Sequence, residues 1–408
     1  MMAAASVLLL LAGVAPAEAQ SRSRGRAASQ LRQAPPEDPD EPSEGLTAPT
    51  GTFGTALNQE RRDRRRPPDE SSATSILGAR LGLPAGFAIH ATLHLEPLQE
   101  LGSEHGRLPG HAAWVETLNL RWQRGPLVAF AGKIHPRFGA AWFRVPGLYG
   151  ADYAGDYELR EKLGAGLELD LEDVFGLDDA LGGHELRVEA FQADTSFLSG
   201  GLFRPRWAET VPGTAATATL WHRRNRRALG GADNAPGVAG LTLSLVGTGI
   251  DLPGDAGLGY SLALSRRDPG ADAAAAGRGR HEPGAAAALF ADFGLPLGLR
   301  LLPLVEVAHQ DQAGGFAGGR AGWVTTAVTL RRGAVSGSVI EMRRSTRDAA
   351  AGRAFGRERA ANLTLDLGAL SGRALLAPVS LSLDIRRAAE GGRHATDAAA
   401  GLLVSLSF

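Results

Sequence analysis

From Phe87 to the end of the chain, apolar residues recur at every second position. Phe87, Ile89, Ala91, Leu93 and Leu95 share one face, and His90, Thr92, His94 and Glu96 share the other. A period of two is that of a β-strand, whose successive side chains point to opposite sides of the sheet. The pattern repeats at Leu118–Trp122, Val128–Ile134, Tyr157–Leu171, Leu186–Ala190, Leu241–Leu245 and Leu258–Leu264. It returns at Ala287–Phe293, Leu299–Val307, Val324–Leu330, Val335–Met342, Leu363–Leu367, Val379–Ile385 and Leu402–Phe408. The alternation predicts about 14 strands, with 12 to 16 compatible.

The connections between these segments alternate in length. Short ones fall at Gln123–Pro126, around Pro253-Gly254, at Gly294–Gly298 and at Arg332-Gly333. Long ones span roughly 97–112, 135–154, 194–236, 267–283, 345–360 and 387–399. Tight turns on one side and long loops on the other describe an antiparallel, up-and-down, transmembrane β-barrel with both termini on the short-turn side. A soluble sandwich shares the alternation but has no reason to keep one loop side long. No stretch beyond the N-terminal leader approaches the 18 or so apolar residues of a membrane helix, so a membrane-spanning form of this chain is a closed barrel.

Ahead of the strands, residues 1–19 hold the apolar core Ala3–Gly13 and the small-x-small site Ala17-Glu18-Ala19, and read as a secretory signal peptide without the usual basic start. Residues 20–84 carry the acidic, proline-rich Pro35–Pro42 and the arginine run Arg61–Arg66. With no sustained apolar period, this region is expected to be a disordered periplasmic tail, and 85–408 the barrel.

The chain ends Leu402-Leu403-Val404-Ser405-Leu406-Ser407-Phe408, an alternating strand with a bare terminal aromatic. This resembles the closing strand of Gram-negative outer-membrane barrels, in which the terminal Phe is part of the signal read by the barrel-assembly machinery. Gly132–Gly139, with its Pro-x-Phe-Gly turn, and Pro146–Gly150 resemble porin-like proteins at an external loop. The resemblance implies a bacterial outer-membrane location, surrounding lipid and lipopolysaccharide, Phe408 as assembly signal, and a function in passive diffusion of small polar solutes. Porin-like barrels are often trimers, so a homo-oligomer fits the resemblance. The alternative is a plugged barrel whose long external loops act as a surface adhesin or receptor.

Composition trims the alternatives. There is no cysteine among 408 residues, which excludes disulfides, thiolate metal sites and a cysteine nucleophile, and a net charge of −1 argues against nucleic acid as partner. His90 and His94 share a strand face but lie ~13 Å apart, too far to hold one metal. No serine is tied by a local signature to a His and a carboxylate. The expectation is therefore no enzyme, no metal and no cofactor.

The polar faces carry both charge signs. Arg121, Lys133, Arg160, Lys162, Arg187, Arg300, Arg331, Glu158, Glu168 and Asp170 are expected to line the lumen, since such residues are costly against lipid. In porins the loop between the fifth and sixth strands commonly folds inward and narrows the pore. Counted along the fourteen strands, that loop is roughly Asp194–Pro236, rich in arginine: Arg204, Arg206, Arg223, Arg224, Arg226 and Arg227 are the constriction candidates, biasing the pore towards anions. The competing reading leaves this loop outside, its arginines on lipopolysaccharide phosphates; a third option makes part of it, such as Thr217–Trp221, an extra strand.

Overall fold

The computed structural model describes residues 47–61, 70–97, 111–177, 181–202, 209–210, 217–218, 225, 227, 231–275, 279–348, 352–390 and 392–408. They form a closed antiparallel barrel of 16 strands. The strands are β1 (Thr50–Arg61), β2 (Glu70–Leu83), β3 (Phe87–Pro97), β4 (His111–Arg124), β5 (Leu127–Ile134), β6 (Lys162–Asp170), β7 (Gly183–Ala193) and β8 (Gly240–Leu252). The rest are β9 (Ala256–Arg267), β10 (Glu282–Leu295), β11 (Leu299–Asp311), β12 (Arg320–Arg332), β13 (Val335–Asp348), β14 (Gly352–Asp366), β15 (Val379–Glu390) and β16 (Arg393–Ser407). Each strand pairs with its chain neighbours, and β1 pairs with β16 to close the wall.

All fourteen alternating segments are strands of this wall, β3 to β16. The other two, β1 and β2, correct the boundary of the N-terminal region: the wall begins at Thr50, inside the stretch read as tail up to residue 84. The reason is compositional. Phe53 and Leu57 on β1 and Leu77 and Leu81 on β2 keep the alternation, but glycine, threonine and serine fill the positions between them, and the arginine run beside β1 hides the rest. The signal peptide and residues 20–46 lie outside the described residues.

The wall is inside out relative to a soluble protein. Leu57, Leu120, Leu167, Leu243, Leu264, Leu289, Val307, Val328, Val339 and Leu383 are exposed on its outer face. Thr74, Lys133, Glu189, Glu306, Thr325, Asp384, Arg386 and Asp397 are buried on its inner face. An apolar band around a closed wall is stable against lipid, where every backbone group already has its partner. At the short-turn rim Phe87 packs on Trp122, ring centroids 6.4 Å apart, as aromatics do at a membrane interface.

The short-turn side explains its own lengths. Leu83-Pro84-Ala85-Gly86-Phe87 and Leu295-Pro296-Leu297-Gly298-Leu299 make the same three-residue turn, with Ala85 and Leu297 left-handed at φ 62° and 67°. The two connections that are long for this side hold short helices, Leu171–Phe175 and Leu367–Ser371. Asp170 caps the first, accepting from the Glu172 N–H at 2.9 Å, and Asp366 caps the second, accepting from the Ala369 N–H at 2.9 Å.

On the opposite side two expected loops are strand instead. Asp348 and Gly352 end β13 and begin β14, and Glu390 and Arg393 do the same for β15 and β16, so 345–360 and 387–399 are mostly ladder. Their polar composition suggested loop. Strands of 14 and 15 residues exceed the roughly 9–11 that cross a bilayer, so their loop-side ends project beyond the hydrocarbon.

Candidate functional site

The barrel interior is organised by residues 135–161, the connection between β5 and β6. Correcting the strand count by two moves the fifth-to-sixth loop from Asp194–Pro236 to this segment. Phe138, Trp142, Leu148, Tyr149, Tyr153, Tyr157 and Leu159 are buried and form one cluster with Trp323, Ile340, Met342 and Ala360 of the far wall. Tyr157 therefore does not start β6; it belongs to this inward loop, and β6 begins at Lys162.

The loop is latched at successive points. Glu306 on β11 accepts hydrogen bonds from the Ala140 N–H, the Ala141 N–H at 3.1 Å and the Tyr157 hydroxyl. Gly139, at φ 89°, lets the chain pass against this carboxylate: an added Cβ would meet Glu306 Oε1 at 3.2 Å and Tyr157 Cε2 at 2.9 Å. Burial and the neighbouring Glu306 charge hold the Tyr157 hydroxyl well above the usual phenol range, so it remains a donor. Further along, the Leu148 N–H donates to Asp384 on β15 at 2.9 Å and the Tyr149 hydroxyl to Glu60 on β1 at 3.0 Å.

Two arginines of the far wall complete the latch. Arg386 on β15 pairs with Asp152 of the loop and with Asp397 on β16 at 2.7 Å, and its guanidinium lies 4.6 Å from the Tyr149 ring centre. Arg344 on β13 pairs with Asp156 at 2.9 Å and lies 5.2 Å from the Tyr153 ring centre. The two charges are buried, but each faces acids and an aromatic, so neither is uncompensated.

The near wall is different. Arg187 on β7 pairs with Glu168 on β6, and Arg121 on β4 reaches the same carboxylate at 3.3 Å. Arg137 of the loop pairs with Glu185 on β7, and its N–H donates to Glu189 at 2.7 Å. Arg121, Arg137 and Glu185 keep 25 to 30% of their side-chain surface in contact with solvent, whereas Arg386 and Asp397 across the barrel keep 3% or less. Water thus reaches the β4–β7 side of the interior, past a lining of paired opposite charges.

The other expected lining residues have distinct places. Lys133 is fully buried, donating to Glu161 at 3.0 Å and to the Leu198 carbonyl at 2.9 Å, and pairing with Asp194. Lys162 bonds Asp233 at 3.0 Å. Glu158 and Arg160 lie on the inward loop, where Arg160 stacks 4.6 Å from the Trp142 ring. Asp170 is a helix cap at the short-turn rim. Arg300 is at that rim too, bonded to Asp292 at 2.7 Å and Asp255 at 3.0 Å, and Arg331 sits opposite it on β12, exposed. His94 contacts Glu116 at 2.5 Å and packs at a tilt against Trp114, ring centroids 5.7 Å apart.

The connection 194–239 is not the segment that fills the barrel in the described residues. Arg204, Arg206, Arg223, Arg224 and Arg226 lie outside them, and Arg227 is exposed. Among the described residues a short ladder pairs Glu209–Thr210 with Thr217–Ala218, close to the extra strand considered at Thr217–Trp221. Phe408 exchanges backbone hydrogen bonds with Gly51, at 2.9 and 3.0 Å, and so seals the end of the β1–β16 seam.

No family model matches the chain, and no curated protein matches it. Solved structures do. A loop-deletion form of OmpT, an outer membrane protein of Vibrio cholerae, is similar over 89% of this chain and 100% of its own, with 8% identity and a TM-score of 0.50. The outer membrane channel DcaP of Acinetobacter baumannii is similar over 89% of this chain and 98% of its own, with 11% identity and a TM-score of 0.51. The chain has the fold of porin-like outer-membrane channels. At such identities the likeness carries the wall, and the lining must be read from this chain's own residues.

Sequence reasoning missed the inward loop, yet its signal was present. Tyr149, Tyr153 and Tyr157 are three of the chain's four tyrosines, and with Phe138, Trp142 and Phe143 they crowd one connection. A connection that aromatic has to bury itself, and it does so against Trp323, Ile340, Met342 and Ala360 of the far wall.

Proposed function

We propose that this protein is an outer-membrane channel for passive diffusion of small polar solutes. The observation that carries the reading is the asymmetry of the interior. One side is sealed by the latched loop, and the other keeps the solvent-reached Arg121, Arg137 and Glu185, backed by the Arg187–Glu168 pair. A sixteen-stranded wall is wide enough to leave an aqueous path beside such a loop. Paired charges across a narrow path favour polar and zwitterionic solutes, which exchange hydration for contacts with both signs.

On this reading the anion bias comes from Arg121, Arg137 and Arg187, with the exposed Arg227 on the same loop side adding to it. Lipid and lipopolysaccharide surround the apolar band, and the assembly machinery reads Phe408. The alternative, a plugged barrel working as an adhesin or receptor through its external loops, draws support from the buried far side of the interior. Single-channel recording in a planar bilayer separates the two. Discrete conductance steps that scale with salt, with liposome swelling in small sugars and amino acids, are expected of the channel. A silent, correctly folded barrel would favour the receptor.

A further inference from the structure

The outer face of the wall carries a second charged cluster, unrelated to the lumen. Along β13, β14 and β15 the outward row Val339, Ala361 and Ile385 is apolar. The next outward row towards the loop side is Glu341, Arg359 and Arg387, and the one beyond it holds Arg343 and Arg357. Arg343 and Arg359 are 64% and 59% exposed at their side chains. Arginine at the bilayer midplane is expensive, and the cost fades towards the interface, so these rows lie at headgroup level, one outward step above the apolar band.

The registration of these arginines is unfavourable on its own. Arg343 is directly opposite Arg357, Arg359 opposite Arg387, and Arg347 opposite Arg353. Like charges in direct cross-strand pairs repel. Glu341 answers Arg343 at 2.7 Å, Arg357 at 2.8 Å and Arg359 at 3.4 Å, a single carboxylate for three guanidiniums. The excess positive charge is displayed outward, with exposed Phe355 between the Arg357 and Arg353 positions. Val307, His309, Val324, Arg343, Phe355 and Arg357 line one depression, so apolar and basic groups border the same space.

We infer that this face binds the phosphorylated sugar headgroup of lipopolysaccharide. The inference rests on the outer-membrane reading above. Guanidinium forks held side by side match phosphate oxygens bidentately. An anionic headgroup relieves the Arg–Arg repulsion that the bare wall retains, and the lipid's acyl chains continue onto the apolar band directly below. A solvated patch would have no need for three opposed arginine pairs stacked on one outward face above the apolar band.

The full-length protein in phosphatidylcholine nanodiscs, titrated with diphosphoryl lipid A, tests this. Wild type is expected to retain diphosphoryl lipid A in native mass spectrometry, and to retain the dephosphorylated lipid and phosphatidylglycerol much less. The variant R343Q/R357Q/R359Q should bind diphosphoryl lipid A roughly tenfold or more weakly, since charge-assisted hydrogen bonds are lost. Heat-modifiability on gels checks that the variant folds; R387Q alone, at the edge of the cluster, should weaken binding in the same direction and serves if the triple variant does not fold. Glu341→Gln, which removes the competing carboxylate, should bind at least as tightly as wild type. Equal lipid A retention by wild type and the folded arginine variants overturns the proposal, as does competition by millimolar inorganic phosphate with no preference for the lipid. A fall in oligomer mass in the arginine variants with lipid A binding unchanged would assign the face to a second copy instead. Bilayer conductance is recorded on the same samples. Lipid A binding without conductance would sink the channel reading alone, and conductance without lipid discrimination would sink this one alone.

Discussion

Glu306→Ala is the most direct probe of the inward loop. The Glu306 carboxylate is buried and takes three donors, the Ala140 and Ala141 N–H groups and the Tyr157 hydroxyl. Alanine orphans all three. A buried donor without a partner costs about 1–3 kcal/mol, and part of that returns because a desolvated carboxylate is also removed. A net loss of roughly 3 kcal/mol in loop docking corresponds to a shift of more than a hundredfold in the docked-to-undocked equilibrium. The wall itself should hold, because its ladders are backbone hydrogen bonds that Glu306 does not make. Glu306→Gln retains an acceptor oxygen and should lie between. The assay is single-channel conductance with noise analysis: Glu306→Ala should show larger or more fluctuating conductance at unchanged heat-modifiability. Identical conductance and noise in wild type and Glu306→Ala would refute the latch. So would a parallel loss of barrel stability, which would make Glu306 a wall residue rather than a loop anchor.

Other outcomes follow from the same geometry. Leu167→Arg or Leu383→Arg, on the outer band, should impair assembly by about 2–4 kcal/mol near the midplane, whereas Asn119→Arg on the inner face should be tolerated; folding yields into lipid vesicles compare them. Deleting Phe408 removes the Gly51 partner and the terminal aromatic, and should lower outer-membrane levels more than it lowers the melting temperature of whatever barrel assembles. Arg121→Gln with Arg187→Gln should reduce the chloride-to-potassium permeability ratio, more so in dilute salt, where screening is weaker. Shortening the segment 203–230, which contains Arg227, should leave conductance unchanged if residues 135–161 are the constriction.

The wall was legible from β3 to β16 because lipid enforces the alternation: every outward position must be apolar, and every inward one can be polar. The pattern weakens where that pressure does. On β1 and β2 glycine, serine and threonine suffice beside neighbours, so Thr50–Leu83 read as tail. Past the hydrocarbon, on Arg343–Asp348 and Gly352–Arg359, charged side chains sit on strands that no longer touch acyl chains, and those ends read as loop. The missed hairpin also misplaced the interior. The fifth-to-sixth rule pointed to the arginine-rich 194–236 by an error of two strands, although the Pro-x-Phe-Gly turn at Pro136–Gly139 already marked the right connection. What no local pattern gives is the far side of the latch. Glu306, Asp384 and Arg386 meet their partners from well over a hundred residues away, and only the closed wall brings them together.

The seam between β1 and β16 has a kinetic consequence. Every other neighbouring pair joins consecutive strands, but Thr52 meets Ser407 and Arg61 meets Ala398 across about 350 residues of intervening chain. Joining ends that far apart costs a flexible chain about 5 kcal/mol of entropy at 25 °C, before any ladder bond forms. The last strand must therefore be present before the first can find its final neighbour. Until then a growing sheet carries two open edges, which lipid does not tolerate. Insertion and closure should thus be one concerted event, late in biogenesis, and a chain truncated anywhere before β16 should be unable to insert stably, however many strands it already holds.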